Sequence, residues 1–207
     1  MLSFDPDTHI YRWNGRPVSS VTQVLKEWQE VDIYGTTYFV NVHTGRAISA
    51  ETFRNAGAFG RAVHTGAFHI LMSGGLNWNK LHPSLLEPLR QFEKWARDYK
   101  VDMVAVEKPL YSGLYGYAGT PDIICRANTY KLLVCDIKTG GYDLVGPQTA
   151  AYEQLYRESE RYRGHIGRAL LYLPKDGGPY QFKALTKTQD WAFFKVKLYE
   201  AKWRKAA

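Results

Sequence analysis

Asp122 and Asp136 place two carboxylates where the surrounding pattern asks for buried strand residues, and Lys138 puts an amine beside them. The stretches Gly119-Thr-Pro-Asp122-Ile-Ile-Cys125 and Leu132-Leu-Val-Cys-Asp136-Ile-Lys138 are short apolar runs rich in β-favouring residues, separated by the turn formers Asn128 and Thr129. This predicts a β-hairpin. With residues 127–129 as the loop, Arg126 faces Tyr130 and Asp122 faces Val134. Side chains alternate along a strand, so Asp122, Val134, Asp136 and Lys138 share one face, with the two acids as diagonal neighbours roughly 7–8 Å apart. Carboxylates that close repel, and one binds its proton more tightly unless a hard divalent cation takes both as oxygen ligands. Acids to hold Mg²⁺, with an ammonium to orient or polarise an attacking water, are what phosphodiester hydrolysis requires. An isolated Asp-x-Lys is equally the mark of an ordinary solvated ion pair, so the rest of the chain has to decide.

Further candidates lie on both sides. His64 sits near the edge of an apolar face formed by Phe53, Ala56, Val63, Ala67, Phe68 and Leu71, which predicts a helix over 50–72. Gly57 and Gly60 leave open a loop followed by a helix from about Phe59. Glu107 lies in an alternating stretch, 101–111, read as a strand adjoining the acidic pair, where it could supply a third oxygen ligand or hold a metal-bound water. A helix is predicted over 145–162, with Pro147 near its start and Gln148, Tyr152, Leu155 and Ser159 along one face. Upstream, Ser19-Ser-Val-Thr-Gln23 reads as a capped helix start with Ser20 as N-cap and Gln23 at the capping-box position. Its N–H groups and the hydroxyls of Ser20 and Thr22 could receive a phosphate.

The elements that must position these residues are partly visible. Asn14-Gly15 between β-type residues signals an N-terminal hairpin. Residues 30–50 suggest only short strands or irregular structure around Val40, Val42 and Ile48, with His43 on the surface. Ser84-Leu-Leu-Glu87 reads as a capping box opening a helix to about Lys100. Strands are expected over 170–173 and 180–184, then a helix over 188–205. That helix has Phe194, Leu198 and Ala201 for packing, Trp191 and Trp203 as aromatic surface, and Lys195, Lys197, Lys202, Arg204 and Lys205 as charge, a combination that suits a DNA-contacting surface.

With 207 residues, 45% of them apolar, the chain is read as one domain: an N-terminal extension over 1–50, a core over 51–185 and a basic C-terminal helix over 186–207. A net charge of +7 points to a polyanionic partner. Two cysteines make neither a disulfide framework nor a four-ligand zinc or iron–sulfur site, which implies a reducing compartment. No secretory leader or membrane span is legible, so a cytoplasmic location is expected. The motifs of phosphate-cradling and dinucleotide loops are missing, which argues against a nucleotide cofactor.

In order, the chain presents His64, Glu107, Gly119-Thr-Pro-Asp122, Asp136-Ile-Lys138, and Gln148 with Tyr152. This set resembles the PD-(D/E)XK nuclease superfamily, and most closely its RecB-like branch, marked by a helix histidine, G-x-x-D, D-x-K and Q-x-x-x-Y. The opening hairpin and Ser-Val-Thr-x-Val-Leu are similar to the start of phage-type and mitochondrial exonucleases of that branch, so the resemblance runs from about residue 4 to residue 173. It implies an α/β fold with an αβββαβ core, a mixed sheet flanked by helices. It implies a DNA exonuclease dependent on Mg²⁺, with Mn²⁺ as substitute, leaving 5′-phosphate and 3′-hydroxyl ends in recombination, repair or replication. Asp122, Asp136, His64 and the Ile137 carbonyl would be metal ligands, and Lys138 would act on the water. Gln148 and Tyr152 would steady the site and nearby DNA, while Ser20, Thr22, Lys195 and Lys202 would meet DNA elsewhere. Glu107 corresponds only loosely. DNA is the implied partner, with a single-strand-annealing or single-strand-binding protein as companion; iron–sulfur members need four cysteines, which this chain lacks. A structure-specific endonuclease of the same fold and a non-catalytic DNA-binding module are the rival expectations.

Overall fold

Asn14 and Gly15 both take positive φ, 49° and 78°, the twist that a two-residue hairpin turn needs. They join the second and third strands of an antiparallel run, β1 (Leu2–Asp5), β2 (Ile10–Trp13) and β3 (Arg16–Ser20). The computed structural model describes all residues except 7, 74, 142 and 207, and the side chains of 205 and 206 also lie outside the described set, including that of Lys205. Helix α1 (Val21–Val24) follows β3 directly and carries the expected capping box: Ser20 Oγ accepts the Gln23 N–H, and Gln23 Oε1 accepts the Ser20 N–H.

Residues 28–49 form a three-stranded antiparallel sheet, β4 (Trp28–Ile33), β5 (Thr36–Asn41) and β6 (Ala47–Ser49). Its first turn is Tyr34-Gly35, again with both φ positive. Helix α2 (Ala50–Ser73) runs through Gly57 and Gly60 without a break. It crosses α3 (Pro83–Asp98) at Gly66, where a Cβ would meet Leu89 Cδ1 at 2.7 Å. The bare backbone at that point is what lets the helices close on each other. Helix α3 starts earlier than the Ser84 box suggests: His82 is the N-cap, its ring Nδ1 accepting the Ser84 N–H, while Glu87 takes the Gln91 amide.

The expected strand over 101–111 divides into β7 (Asp102–Val106) and β8 (Leu110–Ser112). Glu107 takes a left-handed φ of 45° between them, and Pro109, which lacks an N–H, cannot continue a ladder. Then come β9 (Tyr117–Gly119), β10 (Ile123–Ala127), β11 (Tyr130–Lys138), α4 (Val145–Ser159), β12 (Gly167–Tyr172), β13 (Gln181–Ala184) and α5 (Gln189–Ala206).

The fold is mixed α/β. One five-stranded sheet has the order β1-β2-β3-β9-β8, and the central one has the order β13-β12-β11-β10-β7, with β12 parallel to β11 and the other pairs antiparallel. Strand alternation splits the central sheet's side chains between two cores. Ile123, Cys125, Leu133, Cys135 and Ile137 pack with Phe92 and Trp95 of α3 and Val63 of α2. Ile124, Leu132 and Val134 pack on the other side with Leu155 of α4, Phe194 and Leu198 of α5, and Val21 of α1. Among the described residues, no helix is long and apolar enough to cross a membrane. Both cysteines are free and buried.

Candidate active site

The hairpin that carries the acids differs from its predicted register. Asn128 (φ 42°) and Thr129 alone make the turn, Ala127 pairs with Tyr130, and a bulge in β11 sets Lys131 and Leu132 against the single residue Arg126, so that Ile123 pairs with Cys135 and Ile124 with Val134. Arg126 does not face Tyr130; it pairs across to Asp102 of β7, with its guanidinium 2.8 Å from that carboxylate. The correction is two residues, so the acids keep their common face. One step beyond Ile123, Asp122 falls opposite Asp136 instead of diagonal to it.

Asp122 is anchored at that strand end: its Oδ2 accepts the Ile137 N–H at 2.7 Å, and its carbonyl accepts the Glu107 N–H. His64 reaches the same point from α2. Its Nε2 lies 3.1 Å from the Ile137 carbonyl oxygen, and its Nδ1 lies 3.4 Å from Asp122 Oδ1. Burial disfavours a charged imidazole, but the Asp122 carboxylate outweighs it and lifts the His64 pKa to about 9. The same pairing overcomes burial for Asp122 and holds its carboxyl below the usual range.

Asp136 is 1% exposed, and its Oδ1 accepts no hydrogen bond. Lys138 Nζ stands 2.5 Å from Oδ2. Burial pushes the Asp136 pKa up to about 6 against the pull of Lys138, with the Asp122 charge adding to the rise. For Lys138 burial works downward, but Asp136 and Asp122 prevail and raise its pKa. The lysine is therefore an ammonium at neutral pH, a donor of hydrogen bonds and charge. Two carboxylates, one imidazolium and one ammonium thus balance each other at one end of the central sheet.

Helix α4 brings Gln148 and Tyr152 over this face, and the Gln148 amide donates to the Tyr152 hydroxyl at 3.2 Å. Tyr152 can lie there because Gly119 has no side chain: a Cβ would meet its ring at 2.8 Å and Val21 at 2.8 Å. Burial, then the charges of Asp136 and Asp122, keep the Tyr152 phenol protonated. A cavity of about 260 Å³ opens beside these groups, lined by Thr22, Leu25, Glu27, Lys138 and Gln148.

Thus His64, Asp122, Asp136, Ile137, Lys138, Gln148 and Tyr152 come together, and Thr22 joins the cavity wall. Ser20 does not: it is buried, and its hydroxyl is engaged by Gln23 and Thr22. Glu107 is exposed at its left-handed kink and reaches Asp122 through its backbone only. Lys195 stacks over Trp191 and Lys202 donates to the Tyr115 carbonyl; Lys195 lines a second groove with Tyr115, Ala192, Val196 and Tyr199. The residue that the sequence did not reveal is Glu27, since Lys26-Glu27-Trp28 has the look of any surface acid.

Among the described residues, no group of three or more His, Cys, Asp and Glu is gathered to hold a metal ion. As placed, the acids are engaged by His64 and Lys138. The donor chemistry nevertheless fits a hard cation: two carboxylates and a main-chain carbonyl meet there, and Asp136 keeps a buried oxygen without a hydrogen-bond partner. No protein-family model matches the chain, and no curated protein matches it.

Proposed function

We propose that this chain is a metal-dependent deoxyribonuclease with a PD-(D/E)XK-type site, hydrolysing phosphodiester bonds and acting from DNA ends. One observation carries the reading. Four charged groups, three from one hairpin and His64 from the distant α2, meet at one sheet end, and among them Asp136 is a buried carboxylate with an unbonded oxygen. Burying such a group costs stability, and an apolar residue would serve the core better. The chain order also supports it: a helix, the antiparallel strands β7, β10 and β11, helix α4, then β12 parallel to β11.

Asp122, Asp136, the Ile137 carbonyl and His64 are the groups that would hold Mg²⁺ or Mn²⁺. For His64 this requires giving up its proton, and the incoming positive charge makes that favourable. The cation, when bound, lowers the pKa of water and neutralises charge on phosphate. Lys138, as an ammonium at the cavity wall, donates to the attacking water and to the phosphate oxygens as charge grows on them. Gln148 fixes the water or a phosphate oxygen through its amide, and Tyr152 holds that amide in place. Water attacks phosphorus in line; the new P–O bond forms as the bond to the 3′-oxygen breaks, the water gives up one proton to a phosphate oxygen or to solvent, and the 3′-oxygen takes one up. The products carry a 5′-phosphate and a 3′-hydroxyl.

A structure-specific endonuclease is the second reading. It is favoured by the shortness of α1, four residues, and by the use of Ser20 in the cap, which together take away a seat for a terminal phosphate. DNA labelled at the 5′ or 3′ end, single- and double-stranded, together with covalently closed circles, decides between the two. We expect ends to shorten in Mg²⁺ or Mn²⁺, circles to survive, and chelator or Asp136→Ala to stop the reaction. Cleaved circles select the endonuclease, and intact DNA under all conditions removes the nuclease reading in favour of a binding module.

A further inference from the structure

Glu27 is the acid among the described residues lining the cavity, and it shares that wall with Lys138. It is fixed from two directions. Its carbonyl accepts the Val42 N–H at 2.8 Å, and its Oε1 accepts the Leu144 N–H at 3.2 Å. Leu144 is the N-cap of α4 and has no capping side chain of its own, so the Glu27 carboxylate also closes the start of the helix that carries Gln148 and Tyr152. The charged groups around Glu27 are Lys138 and His43, which attract it, and Asp143, which repels it.

The Lys138–Asp136 pair at 2.5 Å poses a problem for any divalent cation held by Asp136. Once that carboxylate is engaged, the ammonium loses its partner and is repelled by the second cation. Without another acid it would swing away from the reacting phosphate. We propose that Glu27 is a positioning residue that acts through Lys138, keeping the ammonium directed into the cavity when Asp136 turns to a cation. The inference rests on the nuclease reading for its catalytic consequence, whereas the link between Glu27 and Lys138 rests on the cavity that both line and on the attraction between their charges.

Glu27→Gln keeps the shape and the acceptor for the Leu144 N–H while removing the charge; Glu27→Ala removes both. If Glu27 acts on Lys138, Glu27→Gln lowers kcat by about 10- to 100-fold, the range for outer-shell partners of a metal site. KM stays level or falls, because a like charge facing the phosphate is gone, and thermal unfolding hardly moves. Glu27→Asp recovers part of the rate. If Glu27 is only a tether, Glu27→Gln behaves as wild type in both constants, and that result overturns the proposal. A second readout needs no DNA: with ¹³C at lysine Cε, and the Lys138 signal assigned through Lys138→Arg, the resonance should shift in Glu27→Gln. An unmoved resonance overturns the proposal whatever the kinetics. A wild type that cuts no DNA in Mg²⁺ or Mn²⁺ overturns the nuclease reading instead, and the resonance still decides the fate of Glu27.

Discussion

Asp136 and Lys138 depend on each other unequally, because the acid is 1% exposed and the amine side chain is 24% exposed. Lys138→Met leaves a buried carboxylate without its partner, which typically costs about 3–5 kcal/mol. We expect the lower end of that range in urea unfolding at pH 7 in chelator, since Asp136 can relieve the strain by taking up a proton. Asp136→Asn should be neutral or stabilising under the same conditions and, on the proposed nuclease reading, should abolish cleavage in Mg²⁺; a strongly destabilised Asp136→Asn would show that the carboxylate is needed for the fold. His64 gives a separate signature. Its folded pKa of about 9 lies above its ordinary 6.5, so its ion pair with Asp122 stabilises the fold fully below 6.5 and ceases to do so as pH rises through 9. Unfolding free energy in chelator should therefore fall between those two pH values, and His64→Gln should flatten that limb. A wild-type curve without the limb would mean that the imidazole is neutral and the pairing with Asp122 weak.

At the level of elements, the placing of His64 depends on how closely α2 approaches α3. Gly66 lies two residues from His64, and the 2.7 Å approach its Cβ would make to Leu89, itself fully buried, leaves no room for a methyl group. Gly66→Ala should cost about 1–3 kcal/mol by overpacking, and Leu89→Val should restore part of it. An unchanged unfolding midpoint in Gly66→Ala would show that the helices can part freely. Helix α2 was legible because its apolar period is strong, and its glycines suggested a break only because a sequence cannot distinguish a helix breaker from a contact point. The hairpin's faces were legible for a similar reason: a register error of two residues leaves every side chain on its side. The bulge at Lys131 and Leu132 sets the true register, and Arg126, opposite it, pairs with Asp102 on a third strand, beyond the reach of local pattern. Glu107 was read as a strand residue because alternation does not register a left-handed φ. Over residues 30–50 the sequence suggests only short strands or irregular structure, not the sheet of β4, β5 and β6, although Tyr34-Gly35 is a turn signal, because Trp28 to Asn41 does not alternate cleanly: one face packs on Phe53 of α2 and part of the other meets solvent. Glu27 was hidden by the same sheet, since the hydrogen bond from Val42 back to its carbonyl and the one from Leu144 to its carboxylate, which fix it at the cavity, join segments far apart in sequence.

Taken whole, the molecule carries +7, but a net charge does not say where a polyanion lies. The site itself is close to neutral, with the two acids balanced by His64 and Lys138 and with Glu27 at the wall, so it offers little attraction to phosphate until a cation arrives. On the proposed nuclease reading long-range attraction has to come from elsewhere, and α5 is a candidate. Lys195 and Lys202 lie on it, beside a groove where Val196 and Tyr199 are exposed at 57% and 59%. Each phosphate neutralised by a lysine or arginine releases counterions, so the slope of log K against log salt counts those contacts at about −0.9 each for duplex DNA and about −0.7 for single strands. On that reading, DNA binding by Asp136→Ala, measured in chelator so that no metal contributes, should show a slope equal to several contacts. Lys195→Ala and Lys202→Ala should each reduce its magnitude by about one contact while weakening binding evenly across DNA sequences. Tyr199→Ala should lower affinity for single strands without changing the slope, because a stacked ring carries no charge. If the lysine variants leave the slope untouched, the charge on α5 serves only to solvate the helix, and the proposed nuclease reading has to place DNA along the cavity wall that Thr22 and Gln148 share.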